Sequence, residues 1–315
     1  MNDALRLLAK FLKKFGYDIK RHYQYNLLPV SNLESFSGTA ALYNNAGEDQ
    51  NIDGSDLDTI LVCLRTCLRN SPGKDRPPEI TGTEHNELVY RCINSLVATI
   101  NHALKSNEQL KIRLIVFDDH SDDEYKKIIE QICTKSGSET TIITTREKGQ
   151  GNSLYEQFEY ARDLNAICYF CEDDYLHEES ALEEMARFYR QVIEKCNTHL
   201  VIHPQEHEFL FARYVYPSYI LLGEKRHWRT ISHATHTLFT HSILVKKYWQ
   251  YFENTRYVGD KKNRRMGVES RTTNYLFNHV PGFAPIPPLA VHMQTQNSLP
   301  PFFDWRPLWD KNRLE

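Results

Sequence analysis

Three consecutive acids, Glu172, Asp173 and Asp174, close the apolar run Ala166-Ile-Cys-Tyr-Phe-Cys171, which has no polar alternation. Carboxylates crowded in this way repel one another unless a divalent cation neutralises them. Hard oxygen ligands favour Mg²⁺ or Mn²⁺, ions commonly shared with phosphate groups. The competing reading is that the acids cap a following helix, whose N-terminus favours negative charge. A second acid cluster, Asp118-Asp119-His120-Ser121-Asp122-Asp123, follows the apolar stretch 112–117. Arg65 and Thr66 follow the stretch 59–64, and Arg146 and Asn152 lie just past 140–145. Later, His233-x-x-His236 beside Thr235 and Thr237 forms a dense donor cluster, although histidines are more often structural than ligating.

The elements that must position these residues follow from periodicity. The stretches 59–64 and 166–171 read as buried strands of a parallel sheet, the latter buried on both faces, and 112–117 and 140–145 as two further strands. Between them, helices are predicted. Val89, Cys92, Leu96, Ile100 and Leu104 recur at helical spacing behind Thr81-Gly-Thr-Glu84, which fits a capping box. Further helices are predicted through Tyr125, Ile128, Ile129 and Ile132, over 154–162, from Glu178 to about Lys195, and over 271–279. A short strand is predicted at 200–203. Strands alternating with helices imply a doubly wound, mostly parallel α/β sheet with helices on both faces. The polar residues then fall on one edge, at the carboxyl ends of the strands, where ligands bind in open α/β sheets.

Other features bound the answer. A length of 315 residues, 25% charged and 41% hydrophobic, fits a globular protein, and a net charge of −3 gives no reason to expect nucleic acid. Seven cysteines without a spaced framework or a signal peptide favour a reducing, cytoplasmic setting. Cys168 and Cys171, three apart on a strand, point to opposite faces and do not suit zinc. Only Gly149-x-Gly151 resembles a phosphate loop; no full dinucleotide or P-loop motif is present. His203-Pro-Gln-Glu-His207 matches a zinc-peptidase pattern in letters, but Pro204 opposes the helix that chemistry needs. Residues 3–21 read as an amphipathic helix. Leu5, Leu8, Leu12 and Phe15 form its stripe, and Arg6, Lys10, Lys13, Lys14, Lys20 and Arg21 make its other face basic. Such a helix suits either the main domain or an anionic membrane surface. The expected division is 1–57, helix and irregular connection, followed by two halves of one α/β domain, 58–200 and 201–315.

The order of these acid-ended strands resembles the GT-A glycosyltransferases, in particular the family-2-like group, over roughly 59–292. The resemblance implies transfer of a sugar from a nucleotide-diphosphate-sugar donor to a glycan or lipid-linked acceptor with Mn²⁺ or Mg²⁺, with inversion, as in polysaccharide biosynthesis. It assigns donor binding to Arg65, Thr66, Asp118, Asp119, Arg146, Asn152, Glu172 and Asp173. Glu172-Asp173-Asp174 is similar to the family's DXD motif, with Asp174 and His292 holding the metal. Val268-Glu269-Ser270 matches the motif of the general base, making Glu269 catalytic. His233, His236 and Trp228 stand where the acceptor binds. Three positions depart from the pattern: His120 stands for Gly, Ser270 for Asp, and 231–239 for a glycine-rich acceptor loop. Two rival readings are a non-catalytic binder of the same fold and a sugar-nucleotide pyrophosphorylase, which would need a glycine-rich loop after the first strand.

Overall fold

The computed structural model describes residues 8, 11, 12, 14, 56–70, 80–206, 218–256 and 267–314. Contacts divide the chain into two units, 1–30 and 31–315. In the first unit Leu8, Phe11 and Leu12 are helical. The rest of the expected N-terminal helix, most of its basic residues included, lies outside the described residues.

The second unit is built on a nine-stranded sheet in the order β3-β2-β1-β4-β9-β6-β10-β8-β7. Its strands are β1 (Thr59–Thr66), β2 (Lys111–Asp118), β3 (Glu139–Thr144), β4 (Ile167–Glu172), β6 (Val201–Ile202), β7 (Ile220–Leu222), β8 (His227–Ile231), β9 (Leu238–His241) and β10 (Gly282–Ile286). A second sheet of two short strands pairs β5 (Tyr175–His177) with β11 (Ala290–His292). Only β8 and β9 of the large sheet run against the other seven. The mostly parallel α/β sheet expected from the sequence is therefore present.

Strand β1 shows how the sheet is buried on both faces. Ile60, Val62 and Leu64 enter one core and Leu61 and Cys63 the other, as a period of two requires. Helices α1 (His85–Ser106), α2 (Asp123–Cys133) and α4 (Ala181–Cys196) cover the first face, through residues such as Val89, Ile129 and Leu182. Helices α3 (Gln150–Ala161), α5 (Ser242–Lys247) and α6 (Trp249–Glu253) cover the second, through Leu154, Leu244 and Phe252. Cys168 and Cys171 fall in opposite cores, and all seven cysteines are free thiols. A third cluster joins α1, β5, β11 and the last helix, α7 (Arg306–Lys311), through Leu88, Leu176, Val291 and Trp309.

Three local expectations are corrected. The capping box does not form, because α1 starts at His85 and Thr81 instead bonds Thr83 within the preceding turn. Helix α3 begins four residues earlier than expected, at Gln150, so Asn152 and Ser153 lie in its first turn. The stretch 271–279 is not an α-helix but two 3₁₀ turns, Glu269–Arg271 and Thr273–Asn278. No helix among the described residues is long and apolar enough to cross a membrane.

Candidate active site

The carboxyl ends of β1, β2, β3 and β4 converge as expected, and their side chains divide into those that hold the edge together and those that open on a cavity. Thr66, fully buried, donates from its hydroxyl to Asp118 Oδ1 at 3.2 Å. Asp118 also accepts from the backbone N–H of Ser121. Asp119 Oδ1 accepts from Gly149 N at 2.9 Å and from Arg69 Nη2 at 3.0 Å, tying the β3–α3 turn to the end of β2. Gly149 sits at φ +119°, a region closed to side chains, so the turn depends on glycine there. His120 takes φ +55°, which is how a histidine replaces the family's glycine.

The three acids after β4 have three different surroundings. Asp173 turns inward and accepts from Cys67 N at 2.9 Å, bracing the end of β1 rather than facing the cavity. Glu172 faces the cavity with Arg65 Nη1 3.7 Å away, while Arg65 Nε donates to Ser153 Oγ at 3.0 Å. Burial pushes the Glu172 carboxyl up, against the pull of Arg65. Asp174 Oδ2 lies 3.2 Å from His292 Nε2, and Oδ1 is buried with no hydrogen-bond partner. Burial alone would raise the Asp174 carboxyl, but His292 outweighs it and holds it below the usual aspartate range. Burial likewise works to lower His292, and Asp174 reverses the sign.

His292 is brought to Asp174 by the small sheet, in which it pairs with Tyr175. Its ring stacks on Tyr175 at 4.5 Å and 7°, and its backbone N–H donates to Gln205 Oε1 at 2.8 Å. The stacked ring and the anchored backbone hold the imidazole with its Nε2 edge toward the acid.

These groups open on a cavity of about 190 Å³ lined by Glu172, Asp174, Glu269 and His292, with Gln150, His203, Gln205, Thr235, Gln294 and Ser298 completing the wall. Of these last six, Thr235 stands in the donor cluster noted in the sequence and His203 in the rejected zinc-peptidase pattern, while Gln150, Gln205, Gln294 and Ser298 were not anticipated. Nothing in a neutral amide or hydroxyl marks it in a sequence as facing a ligand. His203 is buried just past β6 and is followed by a bend at Pro204 and Gln205, so the zinc-peptidase pattern has no helix to sit on there. His207 lies outside the described residues.

Five expected site residues stand elsewhere. Trp228 is buried in the core, stacked on Phe188 at 4.0 Å, and offers no free ring face to an acceptor. Arg146 is exposed and pairs with Glu156 and Glu159 of α3, away from the cavity wall. The Asn152 amide donates to Lys148 O, closing the turn before α3. His236 is buried behind Glu269, its Nδ1 3.3 Å from Glu269 Oε1. His233, beside Ser232, is half-buried on the same loop, outside the cavity wall.

The family model of glycosyl transferase family 2 matches residues 84–252, more than half of the chain. The chain belongs to glycosyl transferase family 2. Solved structures similar to this glycosyltransferase include S. aureus TarS, at 15% identity over 72% of this chain and 35% of that one, with a TM-score of 0.42. S. aureus TarS 1-349 in complex with UDP-GlcNAc is similar at 16% identity over 63% of this chain and 53% of that one, with a TM-score of 0.37. A UDP-glucose pyrophosphorylase complexed with UDP-glucose is similar at 13% identity over 80% and 98%, with a TM-score of 0.43. This chain thus spans between about a third and a little over half of the TarS chains it matches. No curated protein sequence matches it.

Proposed function

We propose that this glycosyltransferase moves a sugar from a nucleoside-diphosphate donor to a glycan or lipid-linked acceptor, with inversion and with Mn²⁺ or Mg²⁺. The observation that carries the reading is the Asp174–His292 pair opening, with Glu172 and Glu269, on one polar cavity. The bare Oδ1 of Asp174 and the imidazole of His292 fit a hard divalent cation. Among the described residues no three His, Cys, Asp or Glu side chains converge on one point. The chain would supply two ligands and leave the other positions to substrate oxygens and water, as Mg²⁺ sites commonly do. The cation would supply positive charge where the departing diphosphate gains negative charge.

The chain's own residues divide the remaining work. Arg65, oriented by Ser153, brings a second positive charge to the edge of the cavity. Glu172 and Gln150 present an acceptor and a donor to sugar hydroxyls. Glu269, partly exposed on the cavity wall, is placed to take the acceptor hydroxyl's proton during an in-line attack. The Asp118, Asp119 and Thr66 edge would hold the nucleoside. The basic stretch at residues 6–21 supports a peripheral contact with an anionic membrane carrying the acceptor. Flotation with anionic liposomes tests that contact; equal recovery of full-length protein and of a chain starting after Tyr25 would remove it.

Thermal shift with UDP, GDP, ADP and CDP, each with and without Mn²⁺, tests the donor reading. One nucleotide should raise Tm only with the cation, because a ligand specific to the native state stabilises it by mass action. No shift with any nucleotide would overturn it. Inversion is read from the anomeric configuration of the product by NMR.

A further inference from the structure

His236 is a residue the transfer reaction has not been given a use for. Its ring is buried, 4% exposed, directly behind Glu269, which is 36% exposed and lines the cavity. On its far side, Nε2 lies 3.4 Å from Thr272 Oγ1. The Thr272 hydroxyl donates its own hydrogen to Val268 O at 3.0 Å. Thr272 Oγ1 can therefore only accept from the imidazole, which places the ring hydrogen on Nε2. That leaves Nδ1 as a bare lone pair, 3.3 Å from the carboxylate oxygen Glu269 Oε1 and with no hydrogen-bond partner. Nδ1 is shielded from solvent, while Glu269 reaches from it to the cavity wall. A proton arriving on Glu269 can bridge Oε1 and Nδ1.

We infer that His236 is the positioning residue and proton sink of the proposed base, receiving through Glu269 the proton that the acceptor loses. The inference rests on the proposed role of Glu269. In the step, the acceptor O–H bond breaks and its proton goes to Glu269. The oxygen's electron pair forms the bond to the anomeric carbon, and the bond from that carbon to the diphosphate oxygen breaks with its pair on the leaving group. The proton then passes from Glu269 to His236 Nδ1, giving an imidazolium beside a carboxylate. Other charged groups facing the pair are Glu172, which interacts with His236, and His292, which interacts with Glu269. Thr235 and Thr237 flank the ring on its own loop and do not titrate.

Two measurements test this. Imidazole ¹H–¹⁵N spectra of the resting protein, assigned with His236→Gln, should show hydrogen on Nε2 and none on Nδ1; hydrogen already on Nδ1 would overturn the inference, whatever the activity. Mn²⁺-dependent hydrolysis of UDP-glucose or UDP-N-acetylglucosamine, with water as acceptor, gives the second. His236→Asn puts an amide near the place of Nδ1 that can hydrogen-bond Glu269 but cannot take a proton. Turnover should fall on the order of 10-fold or more with KM within two-fold, a size typical of partners that orient a reacting group. Unchanged turnover in that variant overturns the inference while leaving the glycosyltransferase reading intact. A wild-type protein without hydrolysis of either donor bears on that reading alone, and the resting spectrum still decides the tautomer.

Discussion

At the scale of single residues, three adjacent acids have become three different devices, and each answers differently to removal. Asp174→Ala should abolish the Mn²⁺-dependent part of any nucleotide-induced Tm rise. It also leaves His292 without its counter-charge, so a loss of about 1–3 kcal/mol in stability is expected. Denaturant melts separate the two effects; a variant that keeps its Mn²⁺-dependent shift would return Asp174 to a structural role. Asp173 behaves as a brace, since its carboxylate holds Cys67 N. Glu269→Gln keeps the size and hydrogen bonding of the side chain but not its basicity. Turnover should fall roughly 10²-fold or more with donor and metal affinity retained. Initial rates at saturating donor check this, and near-normal turnover would leave the base unassigned.

At the scale of elements, the parallel half of the sheet was legible because β1 and β4 are apolar runs of about six residues, a pattern that burial on both faces demands. Within 112–117, β2 departs from it only at Arg113; β3, at the sheet's edge, is partly exposed and rich in threonine. In the second half only β6, expected at 200–203, was legible. Strands β7, β8 and β9 are short, hold histidine, arginine and threonine, and take their places from neighbours distant in sequence. Strand β10 contains Pro285, which breaks the pattern of a strand core. The acids after β4 were conspicuous as charge at a strand end, whereas His292 and Glu269 were singled out only through the family resemblance. Trp228 was misread because an aromatic residue looks the same whether it fills a core or offers a face. Elements also carry the pH response. His199, after α4, and His241, at the end of β9, lie with ring centroids 5.0 Å apart. Burial lowers His199 to about 3 and His241 to about 4. Both bind a proton more readily unfolded than folded, so their neutral forms contribute full stability above about pH 6.5. That contribution drains away as pH falls from there towards 4. Tm should be flat near pH 7 and drop between pH 6 and 4, and His199→Phe should make the drop shallower. An equal slope in that variant would show that the pair does not set it.

At the scale of the whole molecule, the C-terminal helix α7 supports the site from a distance. Arg91 of α1 donates to Trp309 O at 2.8 Å, and its guanidinium lies 4.2 Å from the centroid of the Trp309 ring. Trp309 packs in the same cluster as Leu176 and Val291, which belong to the two strands that deliver His292. Trp309→Ala should cost about 3–5 kcal/mol. It should also weaken Mn²⁺ affinity although no atom of Trp309 touches the cavity. Isothermal titration alongside denaturant melts measures both, and a variant with lost stability but unchanged Mn²⁺ affinity would confine α7 to holding the fold. The pairing of β5 with β11 has a consequence for how the protein is made. Asp174 and His292 are 118 positions apart. At about 5–20 residues per second, a ribosome adds the histidine roughly 6–24 s after the aspartate. Throughout that interval the emerging chain already owns β1 to β4 but cannot bring Asp174 and His292 together. At the proposed cation site metal can bind only after that pairing, and ribosome-bound chains halted before His292 should show no Mn²⁺-dependent protection from protease.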